Sequence, residues 1–210
     1  MQPDQGYSSS ASPHTGSRRG NSEYLDSASD NTGRTYSIER RPHPGERETI
    51  VSASTYAPPD YNCPFCRIAR SDFSGRVIGG AEADVLRTPD VTAFVGSHWW
   101  PRNEGSVIVI PNAHFESIFD LPAEAAAQIH RVAQRVAVAM SHVYRCDGIS
   151  TRQHNGPGGG QEVWHYHLHV LPRWRNDRLY ERTPERYRAP PDERAHRAAL
   201  LREHLDSNRA

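Results

Sequence analysis

The segment 165–171, which reads His-Tyr-His-Leu-His-Val-Leu, alternates histidine with apolar residues at a period of two. This period predicts a β-strand, which we expect to span about Val163 to Leu171. In such a strand all three histidines project from one face, spaced about 6.6 Å apart, while Tyr166, Leu168 and Val170 point into a core. Three histidines on one face beside a glycine-rich turn indicate a polar functional cleft more than a structural role.

Patterns on either side of this segment predict an α+β fold. The predicted elements are strands over Val91–Val95, Ser106–Ile110 and Ile149–His154, a long helix that begins near a cap at Asp120, and a short helix over Glu193–Leu205. In the long helix, the apolar residues recur at helical spacing and should face the sheet; they are Ile129, Val132, Val136, Met140 and Val143. In the last helix, Ala199, Leu200 and Leu205 either dock on the core or leave a solvated end.

The composition divides the chain into three parts. Residues 1–55 hold few large apolar side chains, so they are predicted to be a disordered N-terminal tail, although a start codon placed too far upstream would give the same composition. Residues 56–175 form the predicted catalytic domain. Residues 176–210 form a C-terminal extension with a short helix.

Charge and cysteine content narrow the function classes. The 25 basic and 25 acidic residues balance, so no general attraction to nucleic acid or membrane is expected. Three cysteines do not suggest a disulfide framework. Because no apolar stretch approaches the roughly 20 residues of a membrane helix and residues 1–20 lack a hydrophobic signal core, we expect a cytoplasmic protein.

The segment 160–172, Gly-Gln-Glu-Val-Trp-His-Tyr-His-Leu-His-Val-Leu-Pro, resembles the pattern of the histidine-triad (HIT) family. The preceding Gly156-Pro157 makes it most similar to the dinucleoside polyphosphate hydrolase branch. The resemblance covers about Tyr61 to Trp174. It implies a HIT-like five-stranded antiparallel sheet with a long helix, here with a C-terminal helix, and a pairing into a homodimer.

The resemblance also implies roles for the triad. His167 would attack the α-phosphorus of a nucleotide and form a nucleotidyl-histidine, which water or another acceptor resolves. A neutral imidazole suits this role because its pKa lies near about 6.5 and one nitrogen keeps a lone pair. His169 would stabilise negative charge on the phosphate, and Gln161 and the backbone near Gly160 would do likewise.

A second group of residues is typical of a metal site. Cys63-Pro-Phe-Cys66 can bind one metal from a tight turn, and two imidazoles would complete a tetrahedral zinc site. In zinc-containing members of the family, the matching positions are Cys63, Cys66, His114 and His165. Such a zinc would be structural. An isolated Cys-x-x-Cys can instead be redox-active, but the βαβ pattern of thioredoxin-like proteins is missing here. No organic cofactor and no catalytic magnesium is expected.

Three positions depart from the family pattern and affect substrate binding. His98 stands where Asp or Asn contacts the ribose, and His154 stands where Asn or Gln contacts the α-phosphate. Both can still donate a hydrogen bond. Glu162 replaces Ser or Thr, and its carboxylate repels phosphate unless it is protonated, turned away or paired with arginine. Trp99 and Trp100 either form an apolar wall for the base or pack against a dimer partner or the tail.

Three functions are compatible with these residues. The leading hypothesis is a hydrolase or transferase acting on the α-phosphorus of a dinucleoside polyphosphate or phosphoramidate. The second is a non-catalytic nucleotide-binding or sensing module, in which the altered pocket no longer supports turnover. The third is a zinc-stabilised interaction protein, and it rests only on the long N-terminal segment.

Overall fold

The structure is a computed structural model that describes residues 27–29, 35–37, 55–74 and 80–208. Its elements are β1 (Ser27–Ser29), β2 (Thr35–Ser37), α1 (Pro64–Ala69), β3 (Asp84–Arg87), β4 (Val91–Val95), β5 (His98–Trp99), β6 (Val107–Pro111), α2 (Ala123–Tyr144), β7 (Gly148–Arg152), β8 (Leu168–Arg173), β9 (Tyr187–Arg188) and α3 (Pro191–Ser207). β1 and β2 pair antiparallel within a separate N-terminal unit. Most of the predicted tail 1–55 lies outside the described residues, so its disorder and the bounds of the three predicted parts stay predictions.

Five strands form one antiparallel sheet in the order β3-β4-β6-β8-β7. The predicted five-stranded sheet, long helix and C-terminal helix are therefore confirmed. β4 and β6 are buried along their whole length because both faces of the sheet are covered. One face carries the main core beneath α2, and the other packs against α1 through Phe65, Ile68 and Phe94.

The long helix follows its predicted apolar pattern. Four of the five predicted positions are buried and Val143 is partly buried against the same core. The predicted cap at Asp120 is wrong, because α2 begins three residues later, after Pro122. The Asp120 carboxylate instead accepts hydrogen bonds from the backbone N–H groups of Glu116 and Ser117, both at 2.8 Å. It thereby closes the turn before the helix.

The strand of the triad starts later than predicted. β8 begins at Leu168 instead of Val163 and continues to Arg173. The cause is a tight turn before it, in which the N–H of His165 donates to the carbonyl of Val163 at 2.8 Å. The next N–H, of Tyr166, donates to the carbonyl of Phe115, which lies after β6 instead of on a neighbouring strand. Consequently, of the three triad histidines, His169 alone lies on a strand.

The C-terminal extension docks on the domain. Ala198, Leu201 and Leu205 of α3 are buried in the main core, so the docked alternative is correct. Two of the three expected positions differ, since Ala199 is exposed and Leu200 is only half-buried, while the neighbouring Ala198 and Leu201 are buried instead. Before α3, β9 pairs antiparallel with β5. Among the described residues, no helix combines the length and apolar composition that crossing a membrane requires.

A buried carboxylate anchors the start of this extension. Asp177 forms an ion pair with Arg173 at 2.7 Å and accepts a hydrogen bond from the Asn103 amide at 2.8 Å. The backbone N–H groups of Trp174 and Leu179 also donate to it. Arg173 above all holds the pKa of the Asp177 carboxyl well below its usual range. The extension is thereby fixed to the end of β8.

We expect Asp177→Asn to lower the free energy of unfolding by about 3 kcal/mol at pH 7, because it leaves a partly buried guanidinium without its counter-charge. The pKa of Asp177 is lowered in the folded state, so its stabilisation is present above about pH 4 and is lost as pH falls toward the folded pKa. The difference in free energy of unfolding between wild type and variant, measured by urea unfolding, should thus be about 1 kcal/mol smaller at pH 3 than at pH 7. Asp60→Asn, at an exposed position, serves as the control; an unchanged difference would contradict the ion-pair account.

Candidate functional site

A cleft of about 260 Å³ lies at the β8 side of the sheet. His167 lines the cleft from the residue just before β8, at the end of the turn that begins at Val163 (the triad turn). His169 lines it from β8 itself. His154 lines it from the loop after β7, and Arg186 lines it from the C-terminal extension. Three separate parts of the chain therefore contribute polar side chains to one site.

The backbone orients the ring of His167. Its Nδ1 lies 2.7 Å from the carbonyl oxygen of His165. Since a carbonyl can only accept, Nδ1 carries the hydrogen and Nε2 keeps the lone pair. Burial lowers the pKa of His167, which favours the neutral ring. The acceptor that a nucleophilic imidazole needs on its second nitrogen is thus the carbonyl two residues earlier.

His169 lies beside this ring and is also held neutral. The two ring centroids are 5.1 Å apart at an interplanar angle of 74°, and the ring of His154 lies 6.3 Å from that of His169. Burial first, and then the nearby His167 and Arg152, lower the pKa of His169 well below its ordinary value. His169 can therefore donate an N–H hydrogen bond to an anion, but it brings no full positive charge.

The first triad histidine has different neighbours. The Nδ1 of His165 lies 3.3 Å from the Sγ of Cys63 and 3.5 Å from that of Cys66, while its Nε2 lies 3.0 Å from the carbonyl oxygen of Pro111. The His165 ring thus faces the cysteines, and together with the His167 ring it packs against Phe65, at centroid distances of 5.9 and 5.1 Å. Burial lowers the pKa of His165 to about 4.

Cys63, Cys66, His114 and His165 form a cluster with the donor set of a metal site. Their ligand atoms all lie within 4.8 Å of one another, and the Sγ of Cys66 is 3.2 Å from the Nδ1 of His114. Metal bonds of about 2.3 Å to sulfur and about 2.0 Å to nitrogen require sulfur–nitrogen separations of about 3.5 Å in a tetrahedron. Burial raises the pKa of the Cys63 thiol to about 12, so a thiolate there needs a neighbouring cation. The cluster can hold one metal ion.

The glycine-rich loop is held closed by its own backbone and by Gln161. Gly160 has φ +74°, a conformation that favours glycine, and it lines the cleft. The Gln161 side chain accepts from the N–H of Gly156 at 2.8 Å and donates to the carbonyls of Glu116 and Val163 at 2.6 and 2.9 Å. Gln161 is thus buried behind the loop, whereas it was expected to reach the phosphate.

The two tryptophans have different surroundings. Trp99 is fully buried in the main core and does not line the cleft, which corrects its expected place in a substrate wall. The reason is that β5 pairs with β9 and α3 covers the same core. Trp100 lines the cleft and packs against Leu171 and Leu179, but the Arg152 guanidinium lies over its ring at 5.1 Å. Trp100 therefore contacts both β8 and the C-terminal extension, and its role as a wall for the base stays a prediction.

The departures at His98, His154 and Glu162 all line the cleft. The ring of His98 lies 3.0 Å from the Ser97 hydroxyl, and burial, followed by nearby arginines, lowers its pKa. The Nδ1 of His154 lies 2.5 Å from the carbonyl oxygen of Gly159. Glu162 pairs with Arg186 at 3.3 Å, which is one of the conditions under which its carboxylate tolerates a phosphate.

Among the charged residues of the cleft, the sequence did not indicate Arg152 and Arg186. Arg152 could have been found, because a strand at 148–152 paired antiparallel with the triad strand places it opposite His169. For Arg186 no local signal exists. It reaches the cleft because a C-terminal segment returns to pair with β5, and that pairing leaves no mark in a single sequence.

We expect Gln161→Ala to lower the free energy of unfolding by about 2 kcal/mol, because it removes three hydrogen bonds of a buried side chain, and of their backbone partners the Val163 carbonyl alone keeps another hydrogen bond, from the His165 N–H, among the described residues. Hydrogen exchange of the Gly156 amide should accelerate in parallel. Gln128→Ala removes one hydrogen bond to Glu124 on the exposed side of α2 and should cost under about 0.5 kcal/mol. Equal losses in the two variants would show that Gln161 does not brace the loop.

Comparison with known proteins identifies the domain. The family model described as the HIT domain matches residues 81–176. "Protein hit" of Bacillus subtilis is 31% identical over 113 residues, which are 54% of this chain and 72% of that protein. "Adenosine 5'-monophosphoramidase HNT1" of Saccharomyces cerevisiae is 30% identical over 125 residues, which are 60% of this chain and 71% of that protein.

A solved structure agrees with these sequence matches. The crystal structure of a Zn-bound histidine triad family protein from Mycobacterium smegmatis superimposes with a TM-score of 0.56 at 29% identity, covering 70% of this chain and 94% of that one. The shared sheet, the shared helix and the histidine segment of the cleft lead to the same assignment. This chain belongs to the histidine-triad (HIT) family.

Proposed function

We propose that the chain is a nucleotide hydrolase or nucleotidyltransferase, in which His167 attacks the α-phosphorus of a dinucleoside polyphosphate or phosphoramidate substrate. One observation carries this proposal, namely the hydrogen bond from Nδ1 of His167 to the carbonyl of His165, which leaves Nε2 as the lone-pair nitrogen of a cleft residue. The similarity to a yeast adenosine monophosphoramidase supports the reaction class.

The proposed chemistry has two steps. As the bond from Nε2 of His167 to phosphorus forms, the bond from phosphorus to the leaving group breaks, and the leaving group departs with the bonding electrons and takes a proton from solvent. Water or another acceptor then attacks the phosphorus, loses a proton and releases the neutral ring. The His169 N–H and backbone N–H groups of the loop at Gly160 would stabilise the charge on the phosphate oxygens.

A second candidate is a nucleotide-binding module without turnover. The observation that favours it is Glu162, an exposed carboxylate on the wall of the cleft. A negative group at that position opposes the approach of a phosphate and offers no hydroxyl to assist a leaving group. Its ion pair with Arg186 reduces this opposition, and we therefore prefer the enzyme.

We expect His167→Asn to abolish the covalent adduct and to lower turnover by about 10³-fold or more, because an amide nitrogen has no lone pair for phosphorus. The measurement is intact mass and product analysis after mixing with diadenosine tetraphosphate, adenosine 5'-phosphoramidate and their guanosine analogues. His130→Asn, on an exposed position of α2, should behave as wild type. Full turnover by His167→Asn would refute the nucleophile, and binding without adduct or turnover in wild type would favour the module.

We also propose that the four-residue cluster holds a structural zinc ion that joins α1 to the triad turn. The sulfur–nitrogen distances of 3.2 to 3.5 Å and the Pro111 carbonyl behind His165 support it, since such a carbonyl fixes the ring that binds metal. The alternative use of Cys63 and Cys66 as a redox pair would not need His114 and His165 beside them.

Purified wild type should contain about one zinc per chain by elemental analysis, and Cys63→Ser and His114→Ala should contain far less, because a tetrahedral site loses a ligand. Both variants should also unfold at lower temperature, since metal binding adds to the free energy of folding. Cys146→Ser is the matched control, because this half-buried thiol lies outside the cluster. Equal zinc in all proteins would exclude this site.

Two further properties stay predictions from the sequence and the resemblance. One is a homodimer, and the other is a place in the reducing cytoplasm. We also expect turnover without any divalent ion other than the structural zinc, because the sequence contains no evident magnesium-binding motif.

A further inference from the structure

Arg152 is a guanidinium in the wall of the cleft that forms no direct ion pair among the described residues. Burial above all lowers its pKa, whereas the nearby Glu162 carboxylate acts in the opposite direction. It ends β7 directly opposite His169 of β8 and lies over the ring of Trp100 at 5.1 Å. Its Nε is buried and lacks a hydrogen-bond partner, and no ion pair to it exists among the described residues. A buried donor without a partner is costly, and an anionic ligand would remove that cost.

Arg186 faces the same cleft from the C-terminal extension. Its contacts with Glu162 are long, at 3.3 and 3.5 Å, and the two side chains are 40% and 70% exposed. Ion pairs with such exposure contribute little, so an anion can replace the carboxylate as the partner of Arg186 at small cost. Two guanidinium groups and one carboxylate leave this wall with a net positive charge.

The histidines do not supply that charge. His169 and His98 have lowered pKa values and are neutral near pH 7. A neutral ring can donate one hydrogen bond to the α-phosphate, but two arginines provide a planar set of donors that matches phosphate oxygens. A substrate with an uncharged leaving group, such as an amine, has no second anionic group for these two arginines to bind. The positive charge of the cleft therefore favours a substrate with a further phosphate.

We propose that Arg152 and Arg186 form an anion subsite for a second phosphate of the substrate, next to the α-phosphate on His167 and His169. This inference rests on the proposed function and narrows its substrate class to chains of two or more phosphates. The antiparallel register supports a linear chain, because Arg152 stands directly opposite His169, so a phosphate joined to the one on His169 lies on the Arg152 side of the cleft.

Binding is tested without turnover by titrating inorganic tripolyphosphate in a calorimeter. Arg152→Gln and Arg186→Gln should each weaken binding about tenfold or more, because each removes a charge-assisted pair of hydrogen bonds. Glu162→Gln should strengthen binding about threefold, because it removes the competing carboxylate. Arg131→Gln, in an exposed ion pair on α2, should bind as wild type. Unchanged affinity in Arg186→Gln and Glu162→Gln, both at partly exposed positions, would overturn the subsite.

Turnover gives an independent test of the substrate class. Arg152→Gln should lower kcat/KM for diadenosine tetraphosphate about tenfold more than for adenosine 5'-phosphoramidate. Equal losses on both substrates would overturn the proposal and would assign the arginines to the α-phosphate. If wild type turns over neither substrate, the proposed enzymatic function is refuted. The tripolyphosphate titration still tests whether Arg152 and Arg186 form the anion subsite.

A phosphate on the ribose is the other source of the same chemistry. Adenosine 3',5'-bisphosphate distinguishes it, because its second phosphate is not part of a linear chain. Loss of affinity for this bisphosphate but not for tripolyphosphate in Arg152→Gln would overturn the linear-chain assignment. Loss for tripolyphosphate with little change for the bisphosphate would support it.

Discussion

The position of His165 is the constraint on which the site depends. Its ring binds the Pro111 carbonyl through Nε2 and faces two cysteines through Nδ1, while its backbone carbonyl holds Nδ1 of His167. One residue therefore belongs to the metal-site cluster through its side chain and to the proposed nucleophile through its backbone. Because the two groups share this residue, the cluster and the ring of His167 cannot be oriented independently.

Features encoded by local periodicity could be predicted from the sequence, and features made by distant pairing could not. β4 and the buried face of α2 follow directly from runs of apolar residues. The alternation of residues predicts a start of β8 that is five residues too early, because it continues through a turn whose hydrogen bond to Phe115 is not local. Likewise, the position of Trp99 next to His98 predicts a place at the substrate, whereas packing with α3 and the pairing of β5 with β9 bury it in the core.

The candidate site was predictable to the extent that residue type determines chemistry. Cys63, Cys66, His114 and His165 were grouped through the family resemblance, and the structure brings all four together. The charge balance of the cleft was not predictable. Glu162 looked unfavourable for phosphate in isolation, whereas its partner Arg186 lies 24 residues later, in a segment whose return to the sheet only the folded chain reveals.

The C-terminal extension consequently contributes to the charge of the cleft through Arg186, in addition to the triad histidines. Asp177 fixes the beginning of this segment to β8, the β5–β9 pairing fixes its middle, and α3 fixes its end in the core. The contacts of Asp177 and α3 are buried, and together with the strand pairing they hold Arg186 beside the cleft. In a chain with this arrangement, substrate charge preference can change through the extension while the proposed nucleophile and its backbone support remain the same.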